Sequence, residues 1–573
     1  MTPSRGQIQI QAFQSNIHIH LDLDGEIFLG SMDMDVTHGQ TPECLFHFIM
    51  VQLKPAFFNM PVKLEFNASQ EFVKAHETVI SRCLHIAKQT NTLIASLEDK
   101  KDALAEKGGA MFYNVDDSYR GKDICEALNG ISDTPLVYED MSTGFNPKTR
   151  QWEPCPVPME IPDLIEFLES RDIGKIITFN HYLLEKYLNE QAIYIPALFA
   201  FLGADYVIID NDPYDPSPMG YYSKALFHPP DSPRFSLSFF HRYWDAHLGL
   251  DRVRYHVYPQ NYNGTAGEEP PRSGPEPEIM VLSQSRLENL CRSLVPVLFW
   301  MDQLAPEDLF RQAQLSYLAL RRLILYEFEL TDFNRSLQNA VVHNLFYSLM
   351  NLLKYEVIEH LAPKRRVILH GDQGWEHVFP ELYRGLLDGD GVEEVLAREN
   401  ILYLLMNHTV SYWDASGPLY DALKRNLPFL NFPCIARPQR FDVLENLEYG
   451  DVQTLDQRLD TLPEIFDDPA MGQALSDLRG ELALNTRILN LEIMEYDVDK
   501  ADRNILSETD AANQALLEAQ VSEFLAGNRD RIHTLYRVLI LGEPVNYQVG
   551  ESAYAQRYYI KTMNALASGQ GGT

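Results

Sequence analysis

Positive charge is scarce in this chain, which has 48 Lys and Arg residues against 81 Asp and Glu residues and a formal net charge of −33. Binding to nucleic acid or to an anionic membrane requires a basic surface, so this balance argues against both kinds of partner. A small phosphate-bearing ligand remains compatible with it, because the N-terminus of a helix supplies positive potential locally.

Paired cysteines, a secretory leader and long apolar runs are also lacking. The six cysteines are scattered without a Cys-x-x-Cys pair, which favours reduced thiols in a cytoplasmic protein. No apolar run approaches the ~20 residues of a membrane-spanning helix, and no basic segment followed by an apolar one opens the chain. We therefore expect a cytoplasmic protein without a membrane span.

The composition is otherwise that of a globular protein, with 45% hydrophobic and 23% charged residues. At 573 residues the chain is too long for one hydrophobic core. Composition and periodicity divide it into an accessory α+β domain, a first parallel α/β domain, a second one with a helical insert, and C-terminal helices, over residues 1–108, 109–262, 278–500 (insert 287–360) and 501–573. The polar Gly- and Pro-rich residues 260–277 form the predicted linker.

Local patterns predict the elements inside these parts. Strands are predicted at residues 7–11, 17–21, 111–115, 134–138, 175–180, 204–210, 252–259, 278–282, 366–370, 401–406 and 427–430. Helices are predicted at residues 68–107, 161–171, 183–202, 235–248, 455–496, 511–541 and 553–566, and through most of 287–360 with breaks near Pro306 and Thr331. Gly203 is expected to end the helix that precedes it.

Residues 399–431 contain the pattern with the most functional content. An apolar strand leads to a turn at residues 414–417, where Asp414 or Ser416 can cap a helix that Pro418 opens. Asn426 is expected in the left-handed conformation that ends this helix. Free N–H groups beside Gly417 suit a phosphate, and the Asp421 carboxylate suits sugar hydroxyls. The alternative is an ordinary α/β crossover in which Gly and Pro only make a turn.

Asp210 and Asp212 follow a predicted buried strand of the first α/β domain. Polar residues beyond the carboxyl end of a parallel strand lie where open α/β sheets bind ligands. The alternative is a Pro-rich loop with solvated carboxylates. Their Asp-x-Asp spacing also occurs in metal-bridged diphosphate sites, but we expect no metal here.

The chain resembles the GT-B glycosyltransferases, in particular the bacterial family-one-like group related to the spore-maturation enzymes, over roughly residues 110–500. Four features carry this resemblance: the strand ending in Asp210-Asn211-Asp212-Pro213, the strand at residues 278–282 followed by Arg286, the strand closing on His370-Gly371 and Trp375 and leading to Tyr383-Arg384-Gly385, and the turn and helix of residues 416–423.

The resemblance implies an α/β fold of two Rossmann-like domains facing a cleft, with the nucleotide sugar held mainly by the second. The implied nucleotide-sugar residues are Arg286, His370, Gly371, Trp375, Tyr383, Asp414, Ser416, Gly417 and Asp421, and the implied catalytic residues are Asp212 and Asp210. The chain departs from the group's pattern in having Asp rather than Glu at 421 and Asn rather than Gly at 426. The retaining-type pair of acids is also missing, since Trp413 stands where its first acid would be.

The leading hypothesis is a glycosyltransferase that moves a sugar from a nucleotide-diphosphate sugar to an acceptor, for which a protein is the candidate, with no metal or other cofactor. Phosphate stabilisation at Ser416 and Gly417, with Arg286 as the cation, would carry most of the catalysis. One alternative is a nucleotide-sugar epimerase on the same fold. The other is a non-catalytic scaffold or assembly protein, which the long helical tract and the acidity allow.

Overall fold

The structure is a computed structural model of the chain. It describes residues 8–11, 14–23, 26–34, 63–64, 77–78, 81–82, 85–86, 89–90, 92–114, 128, 137–140, 145–146, 151–152, 161–179, 195–209, 235–238, 278–285, 287–304, 308–330, 332–386, 401–406, 417–435, 437, 439–493, 500–545 and 547. Contacts divide the chain into two compact units, Met1–Val257 with Phe328–Ala340, and Tyr258–Glu327 with Val341–Thr573.

The first unit begins with an antiparallel sheet whose strands are β1 (Ile8–Gln11), β2 (Gln14–Leu23), β3 (Glu26–Met34) and β4 (Lys63–Leu64). β2 pairs with all three others. β2 and β3 pair in antiparallel register from Ser15 opposite Met34 to Leu23 opposite Glu26. The strands predicted at residues 7–11 and 17–21 are confirmed.

A parallel sheet follows in the same unit. Its strands are β5 (Gly109–Asn114), β6 (Val137–Asp140), β9 (Ile173–Phe179), β10 (Asp205–Ile209) and β11 (Phe235–Ser238). Two short strands that come between β6 and β9 in the sequence, β7 (Phe145–Asn146) and β8 (Gln151–Trp152), form a separate antiparallel pair. The order across the sheet is β11-β10-β9-β5-β6, the flavodoxin-like order in which the first strand lies between the second and third. Helix α1 (Ile161–Ser170) buries Leu164, Ile165 and Leu168.

The predicted helix at residues 235–248 is wrong at its start, where the structure has strand β11. Phe235-Ser236-Leu237-Ser238 alternates apolar and polar side chains, the period of a strand. This segment pairs in parallel with β10, with Phe235 opposite Tyr206. The remaining residues of that prediction, and the strand predicted at 252–259, lie outside the described residues. By contrast, helix α2 (Ile195–Leu202) ends at Gly203, whose φ of 80° confirms the predicted stop.

The second unit contains a second parallel sheet. Its strands are β12 (Glu278–Leu282), β13 (Val367–Gly371), β14 (Tyr383–Leu386), β15 (Ile401–Leu405) and β16 (Phe429–Asn431). The order β14-β13-β12-β15-β16 places the first strand in the centre and is that of a Rossmann fold. Every residue of β13, β15 and β16 is buried, which explains their mostly apolar sequences, broken only at His370, Gly371 and Asn431.

The other helices follow along the chain, and one of them, at Asp332–Leu361, begins in the first unit, which includes Phe328–Ala340. They are α3 (Leu287–Asp302), α4 (Leu309–Arg322), α5 (Asp332–Leu361), α6 (Gly374–Val378), α7 (Gly417–Lys424), α8 (Val452–Asp467), α9 (Pro469–Ile493) and α10 (Lys500–Leu535), with a 3-10 segment at Gln439–Leu447 and π segments at Leu323–Glu327 and Tyr536–Ile540. The helical tract predicted at 287–360 is thus α3, α4 and α5, separated near Pro306 and Thr331 as expected.

The C-terminal helix α10 packs along α4 of the same unit. Arg529 pairs with Glu327 at 2.6 Å, and Arg322 donates to the Ser522 hydroxyl at 2.6 Å. In the part of the chain that the structure describes, no helix is both long and apolar enough to span a bilayer. The chain is therefore a mixed α/β protein with two parallel sheets.

Candidate functional site

The candidate site lies at the carboxyl ends of β12, β13 and β15. In the order β14-β13-β12-β15-β16, successive strands are added first to one side of β12 and then to the other. The crevice between β12 and β15 is therefore the switch point at which open α/β sheets bind ligands. These strands and the segments that follow them contain nine of the eleven site residues predicted from the sequence, from Arg286 to Asp421.

The loop after β12 and the loop after β13 are packed backbone against backbone. A Cβ on Gly371 would overlap the carbonyl oxygen of Ser283, and one on Gly374 would overlap the hydroxyl oxygen of Ser285. The amide of Ser283 donates to the carbonyl of His370 at 3.0 Å. Glycine at 371 is therefore required by a close approach of two chain segments.

Asp372 fixes the same junction through its side chain. Its Oδ1 accepts from the Ser285 hydroxyl in a short hydrogen bond and from the Gly374 amide at 3.1 Å. The Ser285 oxygen in turn accepts from the Leu287 amide at 3.3 Å, at the start of α3. The ends of two neighbouring strands thus form one rigid ledge at the mouth of the crevice.

Trp375 packs beneath the ledge, on its buried side. Its side chain is completely buried, its Nε1 donates to the Ser283 carbonyl at 2.6 Å, and its ring packs edge-on against Tyr355 with centroids 5.3 Å apart. The sequence placed Trp375 among the residues that contact the nucleotide. In the structure its ring faces the protein interior. Trp375 therefore affects the site only indirectly, by holding the backbone of Ser283 in place.

His370 and Tyr383 lie on either side of the β13–β14 pairing. His370 is buried in β13. Tyr383 is half-buried at the start of β14, and burial raises the pKa of its phenol, with the charges of Glu376 and Asp372 adding to the effect. Tyr383 is therefore a hydrogen-bond donor at neutral pH. Gly385, at φ 146°, follows the irregularity in this pairing.

Helix α7 begins at Gly417, on the far side of the crevice, after β15. Leu419, Tyr420, Ala422 and Leu423 are buried, whereas Asp421 is half-buried in the second turn of the helix. The helix ends as predicted, with Asn426 at φ 55°. The Leu427 amide donates to the Ala422 carbonyl at 2.9 Å and the Asn426 amide to that of Leu423 at 3.2 Å, which is a Schellman motif.

The five other predicted residues, Asp210, Asp212, Arg286, Asp414 and Ser416, lie outside the described residues. The structure thus brings Gly371, Trp375 and His370 together around Ser283, with Tyr383 near Asp372. Within the described ranges, no three His, Cys, Asp or Glu residues are grouped so as to hold a metal ion.

Sequence reasoning missed Lys354, a residue of α5 whose side chain has no exposed surface. Its Nζ donates to the Ser283 hydroxyl at 2.6 Å and lies 3.4 Å from the Gln284 carbonyl. The available signal was a single lysine between Leu352-Leu353 and Tyr355, in a tract otherwise typical of a buried helix.

A cavity of about 490 Å³ lies elsewhere in the second unit, beside the residues that follow β16. Buried Glu448 accepts from Arg437 at 2.7 Å and from the Cys434 amide at 3.3 Å. On another wall, burial raises the pKa of the Asp308 carboxyl, an effect that Arg311 opposes and Asp451 reinforces. No predicted site residue that the structure describes lines this cavity.

Comparison with models of known protein families gives no match, and comparison with curated proteins finds no significant similarity.

Proposed function

We propose that the protein is a glycosyltransferase that binds a nucleotide-diphosphate sugar at the crevice between β12 and β15. The observation that carries this proposal is the β14-β13-β12-β15-β16 order, with a helix that starts at Gly417 after β15. This arrangement combines the ligand-binding edge of an α/β sheet with the N–H groups of a helix start.

The diphosphate is assigned to the start of α7, at Gly417, a residue without a side chain. Ser416 and Arg286 retain their predicted roles as phosphate ligands. Asp421, half-buried one turn further into the helix, accepts hydrogen bonds from the ribose hydroxyls. No metal ion or other cofactor is part of the proposal.

The base of the nucleotide is assigned to the ledge formed by residues 371–374 and to Tyr383. Trp375 acts indirectly, because its ring is buried and its indole holds Ser283. Asp212, or Asp210, is the proposed base that deprotonates the acceptor hydroxyl. The acceptor is proposed to be a protein, which suits a strongly acidic chain better than an anionic lipid surface does.

Isothermal titration of the full-length chain with uridine, guanosine and adenosine diphosphates and their sugars tests this proposal. One nucleotide series should bind, and Asp421→Asn should weaken it about tenfold to a hundredfold, since a charge-assisted hydrogen bond contributes about 1.5–3 kcal/mol. The matched control is Asp467→Asn, an exposed acid on α8 that should leave the affinity unchanged.

Two results would contradict the proposal. The first is no binding of any nucleoside diphosphate or nucleotide sugar by the wild-type chain. The second is a lower melting temperature of Asp421→Asn with unchanged affinity, which would make Asp421 a helix residue only. Mass spectrometry of the nucleotide sugar after incubation without acceptor distinguishes a transferase from an epimerase, because only an epimerase converts the sugar.

A further inference from the structure

The Lys354 ammonium is buried directly behind the ledge of the candidate site. Lys354 is completely buried on α5, and its Nζ donates to the Ser283 hydroxyl oxygen at 2.6 Å. A lysine with no exposed surface is rare, because removing an ammonium group from water is costly. Its position next to a hydroxyl at the end of the central strand β12 therefore invites a functional explanation.

Ser283 is held so that its hydroxyl has little freedom. Its amide donates to the His370 carbonyl at 3.0 Å, and its carbonyl accepts from the Trp375 indole at 2.6 Å. The backbone is thus fixed from both sides by β13 and α6. The half-buried side chain stands at the first position beyond β12, where the crevice opens.

The proton of the Ser283 hydroxyl has no well-placed acceptor among the described residues. Because Lys354 donates to the oxygen, the hydroxyl proton must go to a different acceptor. Among the described residues, the acceptor within reach is the carbonyl of the next residue, Gln284, at 3.4 Å, which is long for an O–H donor. An anionic oxygen in the crevice would be a better acceptor.

We propose that the Ser283 hydroxyl donates a hydrogen bond to a phosphate group of the bound ligand, with the Lys354 ammonium behind it as a buried positive charge. The ammonium polarises the hydroxyl, and a chain of hydrogen bonds in a low-dielectric site is stronger than its separate members. This inference rests on the proposed function, which it deepens by adding a phosphate contact on β12 to those assigned at α7.

Phosphate therefore meets two separate sources of positive potential. The start of α7 supplies backbone N–H groups, whereas Lys354 supplies a full charge through Ser283 without contacting the ligand. Lys354 is a positioning residue, and Ser283 is the residue that touches the phosphate. The positive charge of Lys354 should therefore strengthen the binding of phosphate-bearing ligands and leave the affinity for the bare nucleoside unchanged.

Titration of the full-length chain with inorganic pyrophosphate, with the nucleoside diphosphate and with the nucleoside alone tests the inference. Ser283→Ala and Lys354→Met should each weaken pyrophosphate and the nucleoside diphosphate about tenfold to a hundredfold, and nucleoside affinity should not change. Ser283→Thr, which keeps a hydroxyl, should retain most of the affinity.

Two substitutions serve as matched controls. Ser293→Ala removes a hydroxyl on α3 that donates to the Ser348 hydroxyl at 2.8 Å. Asn351→Leu removes a completely buried polar side chain one turn before Lys354 on α5. Both should bind pyrophosphate like the wild type. If Lys354→Met does not fold, comparing the pyrophosphate affinities of Ser283→Ala and Ser283→Thr still tests whether the Ser283 hydroxyl contacts the phosphate.

Unchanged pyrophosphate affinity in Ser283→Ala, or no pyrophosphate binding by the wild-type chain, would overturn the inference. A wild-type chain that binds pyrophosphate with the predicted sensitivity at Ser283 but binds no nucleotide would support it and remove the proposed function instead. Different results therefore contradict the Ser283 inference and the proposed function.

Discussion

Gly371 is the single residue on which the geometry of the candidate site depends most. A Cβ at this position would overlap the Ser283 carbonyl oxygen and lie 2.9 Å from the Trp375 Nε1. Because both neighbours are held by hydrogen bonds, the loops after β12 and β13 must separate to admit a methyl group. We expect Gly371→Ala to lower the free energy of unfolding by about 2–3 kcal/mol.

The matched control is Gly480→Ala. Gly480 lies inside α9, and no atom comes within 4 Å of the place its Cβ would occupy. Alanine is the better helix former, so this variant should be more stable by about 0.5–1 kcal/mol. Denaturant unfolding of both variants gives the comparison. A Gly371→Ala protein as stable as the wild type would show that the two loops are not locked together.

Asp308 gives a prediction about pH. Burial raises the pKa of its carboxyl, Arg311 opposes the shift, and Asp451 adds to it. A carboxyl with a raised pKa stabilises the folded state fully below its unfolded pKa of about 3.9, and this contribution is lost as the pH rises through the folded value. At neutral pH the ionised side chain is therefore only slightly unfavourable, because it is 48% exposed and solvent screens its charge.

We expect Asp308→Asn to raise the melting temperature at pH 7 by about 1 °C and to have little effect near pH 3. Asparagine also accepts the left-handed backbone that residue 308 adopts, with φ 59°. Asp442→Asn, at an exposed position on the same cavity, is the control and should change neither value. A lower melting temperature of Asp308→Asn at pH 7 would mean that the carboxylate stabilises the fold.

Individual residues were predictable from the sequence where their role is local. Asn426 and Gly203 adopt the left-handed conformations expected at helix ends, because a helix end is decided within a few residues. The positions of Lys354 and Trp375 depend on segments more than seventy residues away, as shown by their bonds to Ser283. No local pattern contains that information.

At the scale of elements, the buried strands of the second unit were the easiest to predict. The strand predicted at residues 278–282 matches β12, and that at 401–406 matches β15 to within one residue. Parallel strands buried on both faces need unbroken apolar runs, which are plain in the sequence. The edge strand β11 was mistaken for a helix because the strand period of its four residues is too short to be decisive without its pairing with β10.

The C-terminal helix α10 provides a test of packing. Leu517 is 3% exposed and Leu516 is 49% exposed. These two adjacent leucines therefore form a matched pair that differs mainly in how deeply the side chain is buried. We expect Leu517→Ala to lower the free energy of unfolding by about 2–4 kcal/mol through the cavity it leaves. Leu516→Ala should cost less than about 1 kcal/mol.

Denaturant unfolding of the two leucine variants measures this difference. Equal and small effects would mean that α10 does not contribute to the core of the second unit. The sequence placed residues 501–573 in a separate group of helices. The hydrogen bond from Arg322 to Ser522 joins α4 to α10 across 200 residues of sequence, and both helices belong to the second unit.

At the scale of the whole molecule, the sequence predicts the α/β class and the succession of strands but not their order in space. The order β14-β13-β12-β15-β16 follows from pairings such as Ile279 with both Val367 and Leu402, which lie far apart in the chain. The switch point, and with it the candidate site, became visible only through that order. The net charge of −33 remains a property of the whole surface and says nothing about this crevice.

A crystal structure of the full-length chain with a bound nucleoside diphosphate tests the central claim most directly. The account predicts the diphosphate in the crevice between β12 and β15, with one phosphate at the Gly417 amide and the Ser283 hydroxyl, and the ribose hydroxyls at Asp421. A nucleotide bound away from the carboxyl ends of these strands, for example in the cavity beside Arg437 and Asp308, would contradict it.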